Sequence, residues 1–434
     1  MTDSTVCIVG LGYVGLTLAV AMADAGITVY GTEIRADMLA ELREGYSRIH
    51  EPGLIGALRR LTKSGRLRFY NKVPDERSIT VYIITVGTPL GDDGLARHDM
   101  IERASREVSE RACQSDMVIL RSTVKIGTTR KLVKDWFAGQ DVAFCPERTL
   151  EGAALSELRW LPQIVGGVTH EASMRAAQLF QCITPTVIRV KNPDTAEMIK
   201  LVSNAHRDVS FAYSNEIARV CDGLEGISAA GVIRAGNIGY PRTNLPMPGL
   251  VGGPCLSKDS HILVESSPAV DPTITRAARD WNERQPYESV SFIRAMCHKR
   301  NIDVQRIALL GFAFKGRPAT DDMRGTPATA VISAVRVLFR DASIVGYDPV
   351  VRKKDVAAMG LRAETELVDA FADADVVIVM NNHPVFEEMP LEELARCMST
   401  PGIIYDFWNL HSARPLALPG GIRYVALGSH GVET

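Results

Sequence analysis

Short apolar runs rich in β-branched residues alternate with stretches of helical periodicity along the first 190 or so residues, the mark of parallel strands joined by crossover helices. Thr5–Val9 predicts the first strand, Gly15–Asp24 the first helix and Thr28–Thr32 the second strand. Apolar runs at Val81–Val86, Met117–Arg121, Val142–Phe144, Gln163–Val168 and Thr186–Val190 extend the same sheet. Past Pro193 the pattern changes. Ala196–Cys221 carries apolar residues at helical spacing with no proline or glycine, predicting one helix of about 25 residues, long for a globular protein. A second helical region spans Pro272–Lys299, and Gly236–Lys258 between them is too rich in glycine and proline to predict regular structure. From Arg306 the alternation returns, with strands expected at Ile307–Gly311, Ser343–Tyr347, Val376–Met380 and Ile403–Tyr405. The expectation is an α/β fold: one α/β domain over 1–193, a helical middle over 194–300 and a second α/β domain over 301–434.

Composition narrows the function. Of 434 residues, 46% are hydrophobic and 23% charged, which suits a globular chain. The formal net charge of −2 gives no general attraction for nucleic acid or an anionic membrane, so neither is expected as a partner. Eight cysteines lie scattered with no CxxC pair, which offers neither a disulfide framework nor a zinc site and suits a reducing cytoplasm. No metal is expected. Residues 4–23 carry no charge, but Gly10, Gly12 and Gly15 interrupt them and no Lys or Arg precedes them. A glycine turn explains that stretch better than a membrane span or an export signal.

Gly10-Leu-Gly12-Tyr13-Val14-Gly15 follows the first predicted strand and opens the first helix. In a dinucleotide site the glycines serve a tight turn, close approach to pyrophosphate and close helix packing, while the helix N-terminus faces the phosphates. Glu33 ends the second strand, 18 positions after Gly15. A carboxylate there accepts hydrogen bonds from the ribose hydroxyls and repels a 2′-phosphate, favouring NAD over NADP, although the nearby Arg35 weakens that preference.

A second cluster is Gly252-Gly253-Pro254-Cys255-Leu256-Ser257-Lys258-Asp259. The other seven cysteines read as small core hydrophobes. Cys255 differs, because a lysine and an aspartate follow three and four positions later, and a nearby positive charge raises the thiolate fraction. A nucleophilic thiol beside a nicotinamide cofactor points to aldehyde oxidation. The thiolate forms a thiohemiacetal, hydride loss gives a thioester, and water releases the acid.

With these residues in hand, the chain resembles the nucleotide-sugar 6-dehydrogenases that act on UDP-glucose, GDP-mannose and UDP-N-acetylhexosamines. The resemblance runs in order through Gly10–Gly15, Glu51-Pro-Gly-Leu54, Val86-Gly-Thr-Pro89, Ser122-Thr-Val124, Cys145-Pro-Glu-Arg148, Lys200-Leu-Val-Ser-Asn204, Gly252–Asp259, Gly311-Phe-Ala-Phe-Lys315 and Thr320-Asp-Asp-Met-Arg324. It implies Cys255 as nucleophile, Lys200 and Asn204 as stabilisers of a developing oxyanion, Asp259 and Thr123 in water positioning and proton transfer, and Glu147 as the carboxylate of thioester hydrolysis. It implies cofactor contacts from the glycine turn, Glu33, Arg35, Thr88, Thr123, Lys258 and Arg324. Substrate contacts are implied for Glu147, Arg148, Leu150, Lys200, Asn204, Arg242, Gly252, Phe314 and Lys315, the last on the diphosphate. The family also implies two Rossmann-like doubly wound domains joined by a long central helix, and a homodimer through that helix.

Within the family, Pro146-Glu147-Arg148 and Tyr240-Pro241-Arg242 resemble the UDP-N-acetylhexosamine branch, whereas Leu256-Ser257-Lys258-Asp259 is closer to the UDP-glucose branch. Trp408, in Asp406-Phe407-Trp408-Asn409, stands where an arginine is common. His206 and Arg207 either reach the sugar or pack. The favoured reading is four-electron oxidation of C6 of UDP-GlcNAc or UDP-ManNAc. UDP-glucose or GDP-mannose oxidation, a single-step 3-hydroxyacid dehydrogenase and a silent nucleotide-binding protein remain open.

Overall fold

The computed structural model describes residues 5–91, 93–412 and 415–430. They form two compact units, one of residues 5–204 with 261–271 and one of 205–260 with 272–430.

The first unit holds an eight-stranded sheet built from β1 (Thr5–Val9), β2 (Thr28–Thr32), β3 (Leu67–Tyr70), β4 (Ile79–Ile84), β5 (Met117–Leu120), β6 (Asp141–Phe144), β7 (Gln163–Gly167) and β8 (Val187–Arg189). Its order is β3-β2-β1-β4-β5-β6-β7-β8. The first six strands run parallel, β7 pairs antiparallel with β6, and β8 runs parallel to β7. β1 shows why its run of apolar residues is unbroken: Val6 and Ile8 enter one core cluster and Cys7 and Val9 the other. A parallel strand covered on both faces has no polar side. The uncharged stretch at the start of the chain is thus a buried strand, a glycine turn and the helix Tyr13–Asp24. Among the described residues no helix is long and apolar enough to cross a membrane.

The second unit carries a six-stranded parallel sheet of β9 (Arg306–Leu310), β10 (Ser343–Tyr347), β11 (Arg362–Ala363), β12 (Val376–Val379), β13 (Gly402–Asp406) and β14 (Ile422–Ala426). The order β11-β10-β9-β12-β13-β14 repeats the doubly wound scheme. Here too Ile307 and Leu309 enter one core, Ala308 and Leu310 the other. The sequence pattern misses β3, β11 and β14, which are short or mixed in burial.

The long helix spans Pro193–Asp222, 30 residues. Its start is fixed by Asn192, whose side-chain oxygen accepts from the N–H and hydroxyl of Thr195. One face is polar and yet buried: Glu197, Lys200, Asn204, Asp208 and Asn215 are each less than 9% exposed. At 100° per residue they fall within about a quarter of the helix circumference. Glu197 shows how such a residue is satisfied. One oxygen accepts from the N–H and hydroxyl of Thr129, the other from the N–H of Gly127. These donors open the helix Thr128–Asp135, whose N-cap is a glycine with no side chain to cap it. The long helix therefore caps another helix with its own carboxylate, which suits the positive helix end. Burial pushes the Glu197 pKa up, and the hydrogen bonds from Thr129 and Gly127 oppose that rise. Replacing Glu197 by Ala strands three donors and should cost about 2–4 kcal/mol, seen as a lower urea midpoint and melting temperature.

Candidate active site

In the first unit the strand order reverses between β1 and β4, the place where doubly wound sheets bind ligands at the carboxyl ends of their strands. The glycine turn lies there. Gly10 has φ +95°, and a Cβ on Gly15 would collide with the Gly10 carbonyl oxygen. The protein itself therefore demands both residues. Gly12 is different: its φ of −61° suits any residue, and a Cβ there meets nothing within 4 Å. The open space beside Gly12, at an N-terminus without a side-chain cap, is a cradle that a side chain would fill, as a bound pyrophosphate requires.

Around the turn the loops are tied together. The Thr85 hydroxyl donates to the Gly10 carbonyl at 2.7 Å, Ser122 donates to Val86 O at 2.7 Å, and Thr88 donates to Thr123 O at 2.7 Å. These bonds hold the loops after β4 and β5 beside each other. Glu33, 6% exposed, lies beyond the end of β2, and Arg35 folds back onto it with Nε 3.1 Å from Oε1. Arg35 is thus engaged by the very carboxylate whose NAD preference it was expected to weaken. Tyr13 points its hydroxyl to Glu51, and both receive the N–H of Gly152. Burial, then the bond to Glu51, pushes the phenol pKa up. The glycine turn is therefore tethered to the Glu51-Pro-Gly-Leu54 segment by a phenol–carboxylate bond.

Glu147 is held on all sides. It is 7% exposed, and Oε2 accepts from Nε and an NH2 nitrogen of Arg121 at 3.2 and 2.5 Å. Oε1 accepts the N–H groups of Arg148 and Thr149, both at 2.8 Å. Four donors fill the four lone-pair positions of a carboxylate. Burial pushes its pKa up, but the Arg121 charge, the bond from Thr149 and the charge of Lys200 outweigh it, and the net shift is downward. Every lone-pair position of this carboxylate is taken by a donor. Arg148 donates to Pro162 O at 2.5 Å, and the N–H of Leu150 donates to Glu157 at 2.6 Å. Lys200 and Asn204 are one turn apart on the buried face of the long helix, as their spacing predicts, whereas His206 and Arg207 are exposed.

In the second unit the predicted irregular stretch ends earlier than expected. Residues Gly253–Glu265 form a helix, and Cys255 is its third residue, exposed. The glycine–proline content hid this helix, although proline is tolerated in a first turn, where its missing N–H has no partner to lose. Gly253 needs its glycine: φ is +95° and a Cβ would strike the Phe314 ring. The helix start is docked by Gly253 N–H donating to Gly325 O at 2.7 Å, and Ser257 donates to Gly253 O at 2.6 Å. Asp259 is fully buried, with Lys258 Nζ 2.7 Å from Oδ1.

Burial separates most other thiols from Cys255. It pushes Cys145 and Cys297 up to about 12, and raises Cys7 and Cys221. Cys113, Cys182 and Cys397 are exposed, so three of the seven are not the core residues expected; they lie just beyond helices rather than within a core. Lys315 and Phe314 follow β9, at the reversal point of the second sheet, with Lys315 Nζ 5.4 Å from the Phe314 ring centroid. Arg324, largely exposed, curls onto Asp322 with an NH2 nitrogen at 2.5 Å. Arg242 is exposed and stacks over Tyr240 at 4.7 Å.

Residues 4–184 match the description "UDP-glucose/GDP-mannose dehydrogenase family, NAD binding domain", 194–284 that family's central domain and 308–413 its UDP binding domain. The chain belongs to the UDP-glucose/GDP-mannose dehydrogenase family. It is an NAD-dependent oxidoreductase whose substrate is a nucleotide sugar. A curated relative, the UDP-N-acetyl-D-mannosamine dehydrogenase of Pyrococcus horikoshii, is 33% identical over 423 residues, covering 95% of this chain and 97% of its own. The solved structure of UDP-D-ManNAc dehydrogenase from the same organism superposes with a TM-score of 0.88 at 31% identity, covering 99% and 100% of the two chains. A UDP-glucose dehydrogenase structure from Pyrobaculum islandicum gives 0.84 at 26% identity, covering 98% of each chain.

Within this dehydrogenase, sequence reasoning missed several buried polar residues that hold the expected ones: Arg121, Glu197, Asp208, Asn215, Arg279 and Asn282. The signal was available on the long helix, where Glu197, Asp208 and Asn215 share the helical period of Lys200 and Asn204. Asp208 accepts from Ser260 (2.8 Å), Arg279 (2.9 Å) and Asn282 (2.8 Å).

Two outcomes follow for this site. Gly12→Ala should fold with an unchanged melting temperature and lose NAD affinity at least tenfold, about 1.4 kcal/mol, by titration calorimetry, whereas Gly15→Ala should lower the melting temperature itself. The Glu147 pKa is lower folded than unfolded, so its stabilisation is complete above the ordinary value near 4.3 and lost as pH falls through the folded value. Glu147→Gln should flatten that acid limb in urea titrations and cost about 3–5 kcal/mol at neutral pH, because Arg121 is left buried and unpaired.

Proposed function

We propose that this enzyme oxidises C6 of a UDP-N-acetylhexosamine to the carboxylate through a covalent thioester on Cys255. The observation that carries the reading is an exposed thiol in the first turn of a helix, in an enzyme built around an NAD crevice. NAD, held at the glycine turn, would supply the hydride acceptor for each of the two oxidations. The chain's own residues do the rest. First the C6 alcohol loses a proton and a hydride to become an aldehyde. The Cys255 thiolate then adds to the carbonyl carbon, and the positive end of the helix stabilises sulfur as an anion. Lys200 and Asn204 donate to the oxyanion of the adduct. Collapse of the adduct with loss of the second hydride leaves the thioester, and water cleaves the carbon–sulfur bond, returning the thiol and releasing the acid.

Glu147, held as an anion, acts by its field on Lys200 rather than as proton acceptor. Asp259 and Thr123 order the water. Lys315 and Phe314 take the nucleotide diphosphate end of the substrate, and Arg242, exposed and stacked, is free to reach a substrate on a partner subunit. The chain divides for this work into a cofactor part (1–193), a central helical part (194–300) and a nucleotide-sugar part (301–434).

Three features support an N-acetylhexosamine over glucose: Pro146-Glu147-Arg148, Tyr240-Pro241-Arg242, and the name of the Pyrococcus relative. The likeness to a UDP-glucose dehydrogenase in fold keeps that substrate as the second reading. A cytoplasmic homodimer fits the exposed apolar residues Val202, Tyr213 and Val220 of the long helix.

A panel of UDP-ManNAc, UDP-GlcNAc, UDP-glucose and GDP-mannose with NAD should give two NADH per sugar, with UDP-ManNAc or UDP-GlcNAc preferred. Turnover confined to UDP-glucose or GDP-mannose would overturn the preference. Cys255→Ser should lose complete oxidation by at least a thousandfold, a loss of about 4 kcal/mol in transition-state stabilisation. Retained activity with one NADH per product would instead mark a single-step alcohol dehydrogenase.

A further inference from the structure

We infer that Arg279 is a positioning residue for the Cys255 nucleophile, held in place by Asp208 of the long helix; the inference rests on the thiol mechanism proposed above. Arg279 lies on the helix Thr273–Lys299 and is 3% exposed. Its NH1 nitrogen donates to Asp208 Oδ1 at 2.9 Å and to the Leu256 carbonyl at 3.0 Å, and NH2 donates to the Val251 carbonyl at 3.4 Å. Those two carbonyls straddle Cys255 in the chain. Glu283, one turn further on, lies 3.2 Å from Nε.

Asp208 is equally constrained. It is fully buried, and besides Arg279 it accepts from the Ser260 hydroxyl at 2.8 Å and from Asn282 at 2.8 Å. Ser260 sits five residues beyond Cys255 on the same helix, so Asp208 and Arg279 together grip that helix on both sides of the thiol. Asn282 extends the grip. Its oxygen accepts from Asn215, which also clamps both the N–H and the carbonyl of Gly249 at 2.9 and 3.1 Å. The approach to the cysteine turn and its exit are therefore fixed by one buried network. None of its five side chains, Arg279, Asp208, Ser260, Asn282 and Asn215, carries chemistry that the mechanism uses. A single guanidinium offers five N–H donors in a fixed fork, which lets it serve a carboxylate and two carbonyls at once; an ammonium does not reproduce that geometry. Reaction rates fall steeply when an attacking atom is displaced by an ångström or so.

The test uses the full-length Arg279→Lys enzyme beside wild type, with three readings: melting temperature, kcat and KM for sugar nucleotide and NAD, and the pH profile of iodoacetamide alkylation at Cys255, followed by mass spectrometry. The expected result, measured well below the melting temperature, is a kcat at least tenfold lower with KM for NAD unchanged, and a Cys255 alkylation profile displaced from that of wild type. A folded Arg279→Lys enzyme with wild-type kcat and alkylation profile overturns the proposal, whatever its melting temperature. Should that variant fail to fold, Asn215→Ser, which removes the Gly249 clamp without stranding a charge, is held to the same criteria. Alkylation reports on the thiol independently of turnover, and Cys255→Ser turnover tests the mechanism itself, so failure of the positioning role and failure of the thiol mechanism give different results.

Discussion

A charged side chain removed from water must find its hydrogen bonds inside the protein, and the long helix sets this demand along one face. Glu197 and Asp208 are both fully buried. Each is satisfied by donors from distant segments: Glu197 by the start of the helix that follows the Ser122–Val124 loop, Asp208 by Arg279, Asn282 and Ser260. The cost of leaving such a group unpaired exceeds the net gain from an ordinary hydrogen bond, so these contacts fix geometry more than they add stability. Lys200 and Asn204 lie between the two carboxylates on the same face. Lys200 and Asn204 thus share a face with carboxylates that are each tied to their own surroundings.

The same logic separates residues that react from residues that hold. Glu147 looks like an acid–base residue by type, but four donors and the Arg121 charge make it a fixed anion. Cys145, two positions earlier, is a thiol silenced by burial. Cys255 has a different setting: exposed, in a first helical turn, with its neighbours pinned. Exposure thus separates Cys255 from the buried thiol of Cys145, and complete partners separate Glu147 from a group free to move.

Much of this was legible in the sequence because parallel strands buried on both faces announce themselves as continuous apolar runs. β1, β2 and β10 coincide with the expected strands, and the helix predicted for Ala196–Cys221 exceeds its expected length by a few residues at its start and one at its end. The glycine turn was legible because the glycines do physical work that no other residue performs there. What stayed hidden depends on tertiary partners. β3 has only Leu67 and Phe69 turned inward, too short a pattern to read. The cysteine helix opens Gly-Gly-Pro, which locally argues against a helix, and it is held by Gly325, Phe314 and Arg279, all remote in sequence. The role of Glu147 turned on Arg121, 26 positions away, which no motif names.

Trp408 extends this reasoning to specificity. Where the resemblance leads one to expect an arginine, the indole donates its N–H to Met380 O at 2.9 Å and lies over Gly249, where a Cβ would come within 2.9 Å of the ring. Gly249 is the same residue that Asn215 clamps from the other side of the chain. An arginine at this position would offer a charge to an anion; the indole instead gives an apolar wall to the segment that leads into the cysteine turn. The indole thus adds a packing contact to the Gly249 segment where an arginine would bring a charge. The segment that leads to Cys255 is held by Trp408, Asn215 and Arg279 together. On the mechanism proposed above, the side chains that hold the cysteine segment are thus distinct from those assigned to the substrate, so the two sets can vary separately.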